Sequence, residues 1–203
     1  MTVDTMLARL GYRMDDPDAD RYTSAIKLAA LNTAQDYAAG VAHPSMLLSL
    51  QATSDIVGAT GGNNLPADYH RFVYAELYLL DPVRSVVYLA SENLGIQDNR
   101  YTKGSDSDPA CFIWGGKLYL KVTTYTGDYC KVKLYYIKDP TDMTAGGTCQ
   151  LEPVLHPVIL NWAEGYMRQT YKHGDFNEAV AMQEKAEAKI QALNERYRSG
   201  ELL

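Results

Sequence analysis

The sequence predicts an α+β fold: a helical core of N-terminal helices and a C-terminal antiparallel helical hairpin, carrying an inserted antiparallel β-rich module. Three observations predict it. Apolar residues recur at helical spacing before residue 43, a Tyr-rich stretch from Pro44 to Gln150 is broken by paired glycines and alternates in places, and helical spacing returns from Leu151 to Arg198. The expected division is 1–43, 44–150 and 151–203.

Thr2 can cap a short helix whose Val3, Met6, Leu7 and Leu10 fall on one stripe and whose end is marked by Gly11. The acidic turn Asp15-Asp16-Pro17-Asp18 leads into a longer helix from about Ala19 or Tyr22 to Ala39, with Ile26, Ala30, Ala34, Tyr37 and Ala38 on one side and Gly40 as stop. From Pro44 the pattern changes. Met46 to Val57 reads as an extended strand, and Gly58 to Asn64 as a Gly-rich loop.

After the Leu65-Pro66-Ala67-Asp68-Tyr69 turn, Arg71 to Leu80 is rich in aromatic and β-branched residues and reads as a strand. Asp81-Pro82 followed by Val83, Val86, Val87, Ala90 and Leu94, with Gly95 as stop, predicts a short helix within the β region. Phe112-Ile113-Trp114, Gly115-Gly116, then Lys117 to Val122 is the clearest hairpin, since two adjacent glycines supply the positive φ angles of a tight turn. A further strand runs from Tyr129 to Lys138, where Cys130, Val132, Leu134 and Tyr136 alternate with Lys131, Lys133 and Tyr135, predicting one buried face.

Pro153 starts a helix with Leu155, Val158, Ile159, Trp162, Tyr166 and Met167 inward. A break at His173-Gly174-Asp175 precedes the last helix, which places Phe176, Ala179, Met182, Ala186, Ile190, Leu193 and Tyr197 on one stripe.

The 203 residues carry 46% hydrophobic and 22% charged side chains, an ordinary balance for a folded chain. A formal charge of −6 argues against binding nucleic acid by general phosphate neutralisation. Cys111, Cys130 and Cys149 form no close pair, so neither a disulfide framework nor a zinc site is expected. With no apolar run long enough for a signal peptide or membrane span, the protein is expected in a reducing cytoplasm.

No phosphate-loop, dinucleotide, nucleophile-elbow or zincin motif occurs, so no catalytic residue, cofactor or metal is assigned. His43, His70, His156 and His173 are dispersed and read as structural. Asp15, Asp16, Asp18 and Asp20 lack the Gly and terminal Glu of a calcium loop and read as a solvated helix entry. Lys117, Lys121, Lys131, Lys133 and Lys138 are expected on the outer sheet face, where lysines keep a sheet soluble or touch DNA or an acidic partner. Tyrosine is the compositional oddity: ten of the 16 lie between Tyr69 and Tyr136, as strand propensity or a contact surface requires. The tail after Arg198 ends in Leu202 and Leu203, which reads equally as a frayed end or a docking peptide.

The helix Arg21 to Gly40 before a β insertion, the Leu65-Pro66-Ala67-Asp68-Tyr69 turn, and the return through Pro153-Val154-Leu155-His156-Pro157 into a helical hairpin at Gly174-Asp175 resemble tailed-phage head-to-tail adaptor proteins. The resemblance covers nearly the whole chain as architecture. It implies a homo-oligomeric, dodecameric ring below the portal, a structural virion component at the head–tail junction assembled in the host cytoplasm. That ring extends the DNA channel, passes genomic DNA without reading its sequence, and offers a platform to the tail. It further implies that the helical core forms the ring wall, that Arg198, Glu201, Leu202 and Leu203 dock on the portal protein, and that the β insertion meets tail or nozzle proteins. The acidic balance suits a conduit that must not retain DNA. Two other readings compete: a tail-completion or neck subunit, and a host-surface or carbohydrate-binding module using the Tyr-rich sheet, Trp114 and the Gly58–Asn64 loop. An enzyme would need carboxylates brought together in space, such as Asp68 and Glu76.

Overall fold

In the computed structural model, residues 1–57, 62–78, 84–88, 109–121, 131–171 and 176–199 are described. The chain forms two units: residues 1–50 with 139–203, and the contiguous segment 51–138. Among the described residues the first holds four α-helices and the second a mixed sheet, so the α+β class stands.

In the helical unit, α1 (Val3–Arg13) starts where the Thr2 hydroxyl accepts from the Thr5 amide at 3.3 Å, with Asp4 in the first turn and Arg13 in the last, each favoured by the helix dipole. Thr23 caps α2 (Ser24–Val41) in the same way, later than the residue 19–22 start expected from sequence. The buried stripe of α2 is Lys27, Ala30, Leu31, Ala34, Gln35, Ala38 and Ala39. Its small residues let neighbouring backbones approach closely. Residues 44–50 are two 3-10 turns, Pro44–Met46 and Leu48–Leu50, and not the start of a strand; burial of Met46, Leu47 and Leu50 holds them with the helices.

The segment 139–150 is likewise tied to the helices by backbone groups. Val3 donates to the Gly147 carbonyl, Asn32 exchanges two hydrogen bonds with Met143, and Gln35 donates to the Thr141 carbonyl. A 3-10 turn, Pro153–Leu155, then leads into α3 (His156–Thr170), followed by α4 (Phe176–Arg198) packed against it. The predicted break at His173-Gly174-Asp175 lies outside the described residues. Ala179, Ala186, Ile190 and Leu193 are buried as their spacing requires, but Phe176, expected on that stripe, is 67% exposed. It stands in the first turn of α4, at the unit's edge.

In the second unit, β1 (Gln51–Val57), β2 (Asn63–Asn64), β3 (Tyr69–Tyr78), β4 (Arg84–Tyr88), β5 (Ala110–Trp114), β6 (Lys117–Lys121) and β7 (Lys131–Lys138) form one sheet in the order β1-β7-β3-β4-β5-β6-β2. Two expectations are corrected here. Residues 84–88 are a strand and not helix, because β4 finds backbone partners on β3 (Ala75 opposite Val86) and on β5 (Val87 opposite Ala110). The rest of the expected helix lies outside the described residues. The β4–β5 pair is parallel, so the sheet is not wholly antiparallel.

Alternation sets the faces. Ile56, Ala75, Leu77, Val86, Cys111, Leu118, Leu120, Val132, Leu134 and Tyr136 form one buried cluster, leaving residues of the opposite parity on an outer face. At β3 the ladder to β7 shifts between Phe72 and Tyr74, a bulge that places two residues of β3 opposite one interval of β7.

Candidate functional site

The outer sheet face concentrates the exposed aromatic side chains of the β unit. Tyr74 and Tyr135 are register partners on β3 and β7, and their rings stack nearly parallel with centroids 4.0 Å apart. The Tyr135 hydroxyl donates to Glu76 Oε2 at 2.9 Å, while Lys133 Nζ lies 5.6 Å from the Tyr135 ring centroid, within cation–π range. That bond to Glu76 is the main reason the Tyr135 hydroxyl is raised far above the usual phenol range. Tyr74 is 45% exposed. Beside the stack, Gln51, Ala52, Thr53, Val73, Tyr74, Tyr135 and Tyr136 line an open groove of about 350 Å³, with the bulge residue Val73 in its wall.

Tyr136 follows Tyr135 and turns to the buried face, where its hydroxyl donates to Asp68 Oδ1 at 2.9 Å. Burial first, and Asp68 second, push that phenol up to about 12. Asp68 and Glu76 therefore hold tyrosine hydroxyls on opposite faces of β7. They do not form a paired-carboxylate centre.

A second aromatic group occupies the β5–β6 hairpin. Trp114 is 59% exposed at the tip, directly opposite Lys117 in the ladder. Gly115 and Gly116 turn the chain with φ of 56° and 73°, as a two-residue hairpin turn demands, and a Cβ on either would meet open space. Phe112 and Tyr119 stack behind the tip at 4.9 Å, with Lys121 Nζ 5.8 Å from the Phe112 ring. Gly62, at φ +81°, passes so close to Tyr119 that a Cβ there would lie 2.4 Å from the ring.

Of the five lysines expected on the outer face, Lys117, Lys121, Lys131 and Lys133 share the parity opposite the buried cluster. Lys138 does not, because it follows the buried Ile137 on the parity of Tyr136.

In the helical unit, Asp15, Asp18 and Asp20 of the acidic turn are exposed as expected, but Asp16 is not. Asp16 is buried, accepts from the Arg21 and Tyr22 amides at 2.9 Å each, and pairs with the buried Lys27 Nζ at 3.1 Å. Lys27 also donates to the Asp16 carbonyl. The Arg21 amide and the other donors hold this carboxyl down to about 2. The buried Glu164 joins Arg13 at 3.3 Å and Arg168 at 3.1 Å, and Arg168 reaches Glu178 at 3.6 Å and the Arg13 carbonyl at 3.0 Å. Glu164 and Arg168 lie one helical turn apart, a pairing open to sequence reading, whereas the links to Arg13 and Glu178 and the burial of Lys27 against Asp16 join separate elements and carried no local signal. Tyr12, Tyr171 and Phe176 remain exposed on the elements this second network ties together.

His156 is buried with Nε2 3.0 Å from the Leu151 carbonyl, and His43 accepts from the Ser45 amide and stacks on Tyr197. Among the described residues no group of three or more His, Cys, Asp or Glu side chains is placed to hold a metal ion, and no helix is long and apolar enough to cross a membrane. Of the residues expected to dock, Arg198 is exposed at the end of α4, while Glu201, Leu202 and Leu203 lie outside the described residues.

No curated protein matches the chain. A family model described as SU10 adaptor protein matches residues 1–202.

Proposed function

The chain belongs to the SU10 adaptor protein family, a family of phage head-to-tail adaptors, and from that premise we propose that it assembles as a ring below the portal, extends the DNA channel and offers the tail its platform. The observation that carries this reading is a family match running the length of both units. The helical unit, cross-braced by Glu164 and by the Asp16–Lys27 pair, supplies the ring wall. The β unit, with its aromatic outer face, serves tail or nozzle proteins. Arg198 and the tail through Glu201, Leu202 and Leu203 dock on the portal protein. A ring of identical subunits needs two different, mutually complementary surfaces on each copy. The test is native mass spectrometry of the purified protein mixed with portal rings of the same particle. A discrete complex with a ring's complement of copies, lost on deleting residues 199–203, is the expected result. Absence of any complex would refute the reading.

A further inference from the structure

We propose that the β5–β6 hairpin of one copy docks on the acidic α1–α2 turn of the next, with Trp114 on Pro17 and with Lys117 and Lys121 paired to Asp15, Asp18 and Asp20; this rests on the ring reading above. Charge complementarity carries it. The hairpin is a cationic, aromatic surface: Trp114 and Lys117 are exposed cross-strand partners at its tip, and Lys121 is exposed further along the same face of β6. β2, β5 and β6 hold no acidic residue, and neither lysine has an anionic partner among the described residues. The tip is also held in one shape, by the positive-φ Gly115 and Gly116 and by the Leu65 amide donating to the Gly116 carbonyl at 3.1 Å. An indole fixed in this way loses little freedom on docking.

The turn is the chemical complement of that surface. Asp15, Pro17, Asp18 and Asp20 are exposed, and none of these three carboxylates is bonded among the described residues. They outnumber Arg21, the exposed cation that follows them. Asp16 anchors the turn from inside through the Arg21 and Tyr22 amides and Lys27, while Asp15 and Ala19 take φ of 52° and 60°, so this partner too is preset. On a chain of net charge −6, the acid-free hairpin reverses the sign locally, which steers one copy onto the next and fixes which surfaces meet. Hairpin and turn belong to different units, so the contact is heterologous and propagates from copy to copy, as ring closure requires.

The experiment is portal-templated assembly followed by native mass spectrometry, with wild type, Lys117→Glu/Lys121→Glu, Asp18→Lys/Asp20→Lys, and all four changes together. Every altered side chain is exposed, and far-UV circular dichroism checks that each fold is kept. Each reversed pair should raise the assembly midpoint on the order of tenfold or more, and the fourfold variant should return to within about threefold of wild type, because opposite charges face each other again. Lys131→Glu, an exposed lysine away from the hairpin, should assemble as wild type does. Wild-type rings with unshifted reversed pairs, with no rescue in the fourfold variant, or with an equal shift from Lys131→Glu would overturn this contact while leaving the ring intact. Failure of the wild type to form any multimer would overturn both.

Discussion

Gly165 of α3 lies close against α4, and replacing it by alanine sets two effects of known size against each other. A Cβ at Gly165 would lie 2.8 Å from the Ala179 carbonyl oxygen and 2.8 Å from Gln183 Cγ. Ordinary contact begins at 3.4 Å, so α4 would have to retreat by about 0.6 Å (3.4 − 2.8). Gln183 can swing aside, but the carbonyl belongs to the helix backbone and cannot. Forcing a methyl into such a contact costs about 1–3 kcal/mol, while alanine is favoured over glycine in a helix interior by about 0.8–1 kcal/mol. The balance is a loss of about 0–2 kcal/mol, or a fall in Tm of up to roughly 8 °C at about 2–4 °C per kcal/mol for a chain of this size. Thermal and urea unfolding followed by far-UV circular dichroism measure it. Adding Gln183→Ala should restore only part of the loss, because the Ala179 carbonyl remains. A raised Tm in the single variant would show that propensity wins, and that close approach at Gly165 does not hold the two helices.

Other perturbations follow the same logic. Gly116→Ala should cost about 1–2 kcal/mol, the strain of an alanine in the left-handed region with open space around it, and Gly62→Ala should cost clearly more, since it adds a clash with the Tyr119 ring; equal urea midpoints for the two would contradict that. Burial holds the His156 imidazole below its usual 6.5, so the unfolded chain binds its proton more readily and stability declines as pH falls through that value. Urea midpoints at pH 7.5 and 5.5 should differ for the wild type, and less for His156→Gln. Asp16 is depressed to about 2 from 3.8, so its contribution is complete above about pH 4 and lost as pH falls toward 2; at pH 7, Asp16→Asn should lower Tm well below that of Asp18→Asn, whose side chain is exposed.

Elements fixed by local chemistry were legible in the sequence. Thr2 and the Val3, Met6, Leu10 spacing define α1, and Gly115-Gly116 defines the hairpin. Misreadings arose where distant partners decide. Val83, Val86 and Val87 satisfy helical spacing, yet the partners opposite Val86 and Val87 draw residues 84–88 into the sheet. Phe176 fits the α4 stripe by number, but a stripe does not tell how far along a helix its neighbour extends. Of the outer-face features, the tyrosine excess was visible in composition, whereas the groove depends on a β-bulge that no residue pattern announced. Asp16 looked like any acidic turn residue, since nothing near it foretold that Lys27 would be buried against it.

The division of the helical unit between residues 1–50 and 139–203 sets an order of events on the ribosome. The β unit is one uninterrupted segment, and its long β1–β7 and β3–β7 ladders close once Lys138 has left the exit tunnel. The helical unit must wait: α1 and α2 emerge first, but Asn161, Glu164 and Asn194, which clasp Arg13, His43 and the Val41 carbonyl, are translated last. At about 5–20 residues per second, translation of residues 51–203 keeps the first two helices without their C-terminal partners for roughly 8–31 s. A prematurely terminated chain thus carries a finished sheet joined to helices that lack their C-terminal partners, and those helices are its most protease-sensitive part.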